Sequence, residues 1–121
     1  MSEPSPVLPL RAAWQMRSFA EFWPYYLREH SQPATRYIHV AGTVTGLALI
    51  AASFLGGPML ALVGVMVGYA LAWVAHFQIE RNRPATFSHP LWSLLGDLRM
   101  TALFLGGRLN GELRRHRIGL N

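Results

Sequence analysis

Four histidines border a long apolar stretch of the chain: His30, His39, His76 and His89. Imidazole is a ligand for iron, zinc or copper, and a carboxylate adds a hard oxygen donor. Glu80 lies four residues after His76, so the two share a helix face, and Glu80 is the candidate catalytic carboxylate. Two or three histidines with one carboxylate and open positions make a donor set for non-haem Fe(II) oxygen chemistry. Taken singly, each histidine reads as readily as an interfacial anchor or hydrogen-bond partner. Taken together, ionisable groups in and beside an apolar segment are costly and point to function. The four are therefore candidate metal ligands. Arg36 and Arg83 flank the same face. Either could pair with the carboxylate of an amphiphilic substrate, and either could simply set membrane topology.

The elements that carry these residues follow from the charge distribution. No Asp, Glu, Lys or Arg occurs between Arg36 and Glu80. A soluble helical pair needs a charged face toward water, and this stretch has none. It divides into two spans, from about Arg36 to Leu55 and from about Met59 to Gln78. Each has roughly 20 residues, about 30 Å at 1.5 Å per residue, which matches the hydrocarbon thickness of a bilayer. Phe54–Pro58 is the uncharged turn between them, while Arg28, Arg36, Arg81 and Arg83 lie at the opposite end. That asymmetry places both termini in the cytoplasm, as for a protein integral to a bacterial inner membrane. Gly42 and Gly46 in the first span, and Gly64, Gly68 and Ala72 in the second, let two backbones approach closely. In an antiparallel hairpin these faces lead to His39 and His76 at one membrane level. The same small-residue rows would permit a homodimer.

The fold class expected is thus all-α: an integral membrane hairpin of two transmembrane helices, flanked by interfacial amphipathic helices. Residues 1–17, with three prolines, read as a disordered lead, residues 18–107 as the membrane-embedded domain, and residues 108–121 as a basic cytoplasmic tail on anionic headgroups. Ser18 and Glu21 form a capping box for a helix to His30, with Pro24 as a kink and its Trp and Tyr residues at headgroup level. Pro33 reads as a breaker in the turn from Ser31 to Thr35, with Thr35 a candidate cap for the first span. A last helix, about Pro90 to Leu105 with Ser88 or His89 as its cap, puts Leu91, Leu94, Leu95, Leu98, Ala102 and Leu105 on one stripe. Asp97 and Arg99 interrupt it, which favours an interfacial helix over a third span. The net charge of +5 comes from arginines that flank apolar runs instead of forming a separate basic face, so nucleic acid is not an expected partner. The chain has no cysteine, which excludes disulfides and thiolate catalysis.

Certain runs resemble a known family. These are Phe22-Trp-Pro-Tyr-Tyr-Leu-Arg-Glu-His30, Tyr37-Ile-His-Val-Ala-Gly-Thr43, Gly68-Tyr-Ala-Leu-Ala-Trp-Val-Ala-His76-Phe-Gln-Ile-Glu80, and Arg83-Pro-Ala-Thr-Phe-Ser-His89 continuing to Met100. They are similar to the fungal 2-hydroxy fatty acid dioxygenases and their bacterial counterparts. The founding member converts phytosphingosine-derived acids to odd-numbered fatty acids. The resemblance covers about Phe19 to Phe104. It implies a membrane-bound, Fe(II)-dependent enzyme that consumes O2 and shortens a 2-hydroxy fatty acid by one carbon. By carry-over, His30, His39 and His76 are the metal ligands, and Glu80 matches a family glutamate. The chain departs from the family at the turn after the first histidine, which reads Glu29-His30-Ser-Gln32-Pro33-Ala-Thr35 where fungal members are Asn-rich with two adjacent histidines. His89 fits the bacterial pattern only. Two other classes stay open: a haem protein with His39 and His76 as axial ligands, and a non-catalytic membrane protein whose histidines are structural.

Overall fold

A computed structural model describes residues 16–118, all helix, turn or loop; the lead expected over residues 1–17 falls almost wholly outside them. The elements are α1 (Phe19–Arg28), α2 (Pro33–Gly56), α3 (Pro58–Val74) continued by a π-helical turn (Ala75–Glu80), a 3-10 turn (Ala85–Phe87), α4 (Pro90–Leu105) and α5 (Leu109–Arg115). Three prolines open α2, α3 and α4. At a first helical position the fixed φ is suitable and the missing N–H is not needed. Pro33 therefore starts α2 instead of breaking the chain. Gln32 is the N-cap, and Thr35 is buried inside the first turn.

α2 and α3 form the antiparallel hairpin. Pro33–Gly56 and Pro58–Glu80 are 24 and 23 residues, long and apolar enough to cross a membrane. Only 22% and 17% of their most apolar windows is buried within the chain, whereas the core helix of a soluble domain would be mostly covered. Gly57, at φ 101°, makes the turn in a conformation that suits glycine. The hairpin closes on bare backbone: a Cβ on Gly64 would stand 2.7 Å from the Gly46 carbonyl oxygen, and one on Gly46 would stand 2.9 Å from that of Gly64. The small-residue rows thus serve this intramolecular contact.

The remaining helices form a cap at the charged end of the hairpin. Phe22, Trp23, Tyr26 and Leu27 of α1 are buried against Met100 of α4 and Leu109, Leu113 and Ile118 at the end of the chain. The aromatic face of α1, expected at headgroup level, is therefore the core of the cap. It meets two other helices before it could meet lipid. Ser18 caps α1 as expected, its hydroxyl accepting from the Glu21 N–H at 3.2 Å. Pro24 sits inside the helix without ending it. It removes one hydrogen bond, and packing on both sides holds the rest. Within the stretch expected as a basic tail, Leu109–Arg115 folds as α5. Glu112 accepts from the Trp23 indole at 2.8 Å, and Arg99 lies 4.5 Å over the same indole ring.

α4 has the expected bounds with the opposite faces inward. Leu91, Leu94, Leu95, Leu98 and Leu105 are exposed, while Ser93, Gly96, Met100 and Thr101 are buried. The reason is local. A Cβ on Gly96 would stand 2.8 Å from the Tyr26 ring, so α4 turns its smallest residue to the aromatic it packs on.

Candidate metal centre

Each of three histidines is delivered by a different local device. His30 follows the end of α1, where its N–H bonds to the Leu27 carbonyl at 3.0 Å. Its ring stacks on Tyr26 with centroids 4.2 Å apart. Its Nδ1 lies 2.7 Å from the Tyr26 carbonyl oxygen. A carbonyl only accepts, so Nδ1 carries the proton and Nε2 keeps its lone pair. That Nε2 is buried with no hydrogen-bond partner among the described residues.

His76 sits on the π-helical turn, a feature that recurs at functional sites. Arg81, at φ 60°, reverses the chain and donates its N–H to the His76 carbonyl. This brings Asn82 back over the histidine. The Asn82 amide nitrogen donates to the Glu29 carbonyl at 3.1 Å, which fixes the amide's orientation. Its Oδ1 then faces His76 Nδ1 at 2.7 Å and accepts its proton. Again Nε2 is left as the free donor atom.

His39 lies in the second turn of α2. Its Nδ1 is 3.4 Å from Asp97 Oδ1, in ion-pair range but with no hydrogen bond formed. Asp97, on α4, accepts from the Tyr26 hydroxyl at 2.5 Å. Burial pushes the Asp97 carboxyl up to about 7, against the opposing effect of the tyrosine hydrogen bond. Burial first, and the neighbouring Asp97 second, hold the Tyr26 hydroxyl well above its usual range.

The three rings meet. Centroids are 4.6 Å apart for His30–His39, 4.5 Å for His30–His76 and 5.5 Å for His39–His76. One ring nitrogen from each lies within 4.8 Å of the others, and all three residues are buried. Two nitrogens on one ion, each about 2.1 Å from it, are roughly 3–4 Å apart, which small ring rotations would reach. Burial, helped by His39 and His76, holds the His30 imidazole well below the usual histidine range, so it is in the neutral form that binds metal. A buried imidazole nitrogen without a partner is expensive, and a bound cation satisfies it. The residues present thus fit a metal ion.

The other residues expected at the site lie elsewhere. His89 caps α4, stacks on Trp92 with centroids 5.3 Å apart and has Nδ1 2.9 Å from the Ser88 hydroxyl; it is not brought to the cluster. Glu80 accepts from the Ser31 hydroxyl at 2.9 Å and the Gln32 N–H at 2.6 Å. From α3's continuation it does what a capping-box glutamate does from within its own helix. Nη1 of Arg36 donates to the carbonyls of His30 and Ser31 at 2.8 and 2.9 Å, closing the α1–α2 turn. Arg83 is exposed. Sequence reasoning missed the roles of Asp97, Asn82 and Tyr26. Asp97 left a trace, as the charge that interrupts an apolar stripe; Asn82, in a polar loop, left none.

A cavity of about 270 Å³ runs from the cluster between α2 and α3, with α4 as a third wall. His39, His76, Ser93 and Asp97 line one end, and Ile50 and Val65 line the other.

The family described as 2-hydroxy-palmitic acid dioxygenase Mpo1-like matches residues 16–109. No curated protein and no solved structure matches the chain.

Proposed function

Since the chain belongs to the Mpo1-like family of 2-hydroxy-palmitic acid dioxygenases, we propose that it is a membrane-embedded, Fe(II)-dependent enzyme that uses O2 to shorten 2-hydroxy fatty acids by one carbon. The observation that carries this reading is the buried trio of His30, His39 and His76, with ligand atoms within 4.8 Å of one another. Iron, when bound, supplies a template for the hydroxyl and carboxylate oxygens of the substrate and a redox centre for oxygen. The chain's own residues do the rest. The Tyr26 carbonyl and Asn82 hold the His30 and His76 rings with Nε2 free, and Asp97 stands behind His39. Such partners fix ring orientation and raise ligand basicity. Glu80 is a positioning residue that ties α3's end to the start of α2. The apolar walls beyond the histidines exclude water and accept an acyl chain.

The hairpin crosses the bilayer with its arginine-rich end, and hence both termini, on the cytoplasmic side. The outward leucines of α4 rest in the same apolar surroundings as the spans, which accounts for a face that would be inside out in water. The haem alternative is disfavoured by His30, whose ring lies against both His39 and His76 and fills the place a porphyrin would need.

The test is oxygen uptake by detergent-solubilised protein loaded anaerobically with Fe(II) and given a long-chain 2-hydroxy fatty acid. Uptake that needs iron and His76, with a product one carbon shorter, is expected. No uptake from folded, iron-loaded protein would overturn the assignment.

A further inference from the structure

The cavity beside the histidines is asymmetric in a way that the metal does not require. Its polar groups gather at one end, where His39, His76, Ser93 and Asp97 meet. From there it follows α2 past Gly42 and Gly46 to Ile50, and α3 past Gly68 to Val65 and Gly64. The glycines draw α2 and α3 into backbone contact, so the cavity is a groove along their seam, covered on its third side by α4. His39 is 5% exposed and lines the cavity together with Ser93 and Asp97, so the polar end offers its groups to the head of a ligand.

The dimensions suit one acyl chain. From His39 to Ile50 is eleven residues along α2, roughly 16 Å at 1.5 Å per residue. An extended hydrocarbon built from C–C bonds of about 1.5 Å advances roughly 1.25 Å per carbon, so about 13 carbons span that distance. The cavity is also open sideways. α3 and α4 hardly touch. Leu94 and Leu98 of α4 line the groove while remaining 48% and 38% exposed. A chain dissolved in the surrounding hydrocarbon can therefore enter between α3 and α4 without passing through water.

We propose that this groove seats the acyl tail of the substrate, running from His39 toward the hairpin turn, and that Ile50 and Val65 form the end wall that sets the preferred chain length. The identity of the polar head rests on the dioxygenase reading; the seat for the tail does not.

The test is photo-crosslinking of the full chain in nanodiscs with two 2-hydroxy fatty acid probes, one carrying a diazirine at the tail end and one beside the head. Labelled positions are mapped by mass spectrometry, and unlabelled acids of graded length serve as competitors. The tail probe is expected to label around Ile50 and Val65, and the head probe around His76 and Asp97. Ile50→Trp should shift the best competitor about two to four carbons shorter, the few ångströms by which the indole intrudes divided by the advance per carbon. Ile50→Ala should shift it longer. Indiscriminate labelling of outward residues such as Phe54 and Met66 by both probes would overturn the proposal, as would an unmoved length preference in both variants. Crosslinking needs no turnover, so the two readings fail separately. Ordered labels without oxygen uptake would sink the dioxygenase and leave the groove. Uptake with disordered labels would do the reverse.

Discussion

Replacing Asn82 separates a metal centre from a merely buried histidine cluster. Asn82 touches no ligand atom of the proposed site; it grips His76 by Nδ1 at 2.7 Å and α1 by the Glu29 carbonyl at 3.1 Å. In Asn82→Ala the His76 Nδ1–H, on a residue 2% exposed, loses its acceptor. An unsatisfied buried donor costs about 1–3 kcal/mol, so the ring is driven to turn and seek another partner. Loss of such an outer partner lowers metal affinity by about 10–100-fold. Asn82→Asp keeps an acceptor toward His76, now charged, and loses only the donor to Glu29. It should hold metal within about threefold of the parent, because the charge-assisted bond is the stronger one. Titration of the metal-free protein with Co(II), followed by its visible absorption, reads the affinity, and circular dichroism checks that each variant is folded. A folded Asn82→Ala that binds as tightly as the parent would refute the reasoning. So would an Asn82→Asp that binds no better than the alanine variant.

Gly64→Ala must open the hairpin by about 0.7 Å, from 2.7 Å to an ordinary 3.4 Å contact with the Gly46 oxygen. Overpacking of this kind costs about 1–3 kcal/mol, read as a lower unfolding temperature in detergent, and it should weaken metal binding by parting His39 from His76. Gly111→Ala is the contrast: nothing lies within 4 Å of its added methyl, and helix propensity alone should stabilise α5 by up to about 1 kcal/mol. The Asp97 carboxyl is raised from 3.8 in the unfolded chain to about 7 in the fold. Its contribution to the stability of the metal-free protein is therefore complete below about pH 4 and lost as pH rises through 7. Denaturant titrations across that window should show the decline, and Asp97→Asn should flatten it. His89→Ala should leave metal stoichiometry unchanged while lowering the unfolding temperature, since it loses the ring contacts with Trp92 and Phe22 and a hydrogen bond to Ser88.

The hairpin was legible in the sequence because its rule is local: no charge for the length of two helices, and helix as the way for one apolar segment to satisfy its own backbone. The glycine faces were legible for a similar reason, since close backbone approach has no substitute for a missing side chain. Residue type and hairpin geometry pointed to four histidines at one end, His30, His39, His76 and His89, of which the structure gathers the first three. Orientation toward partners outside the hairpin was not. Periodicity says which residues share a face, but not whether that face meets lipid, water or another helix. The aromatics of α1 and the leucines of α4 are both apolar stripes, yet one is a core and the other an exterior, because Gly96 lets the Tyr26 ring approach α4 on its polar side. That approach puts Asp97 behind His39. A π-helical turn and a left-handed Arg81, neither with a sequence signal of its own, put Asn82 behind His76. The sequence by itself determined the hairpin and the ligands it can offer. The tertiary structure decided which histidines converge and what holds them, because those contacts join segments tens of residues apart, whose meeting depends on every packed surface between them.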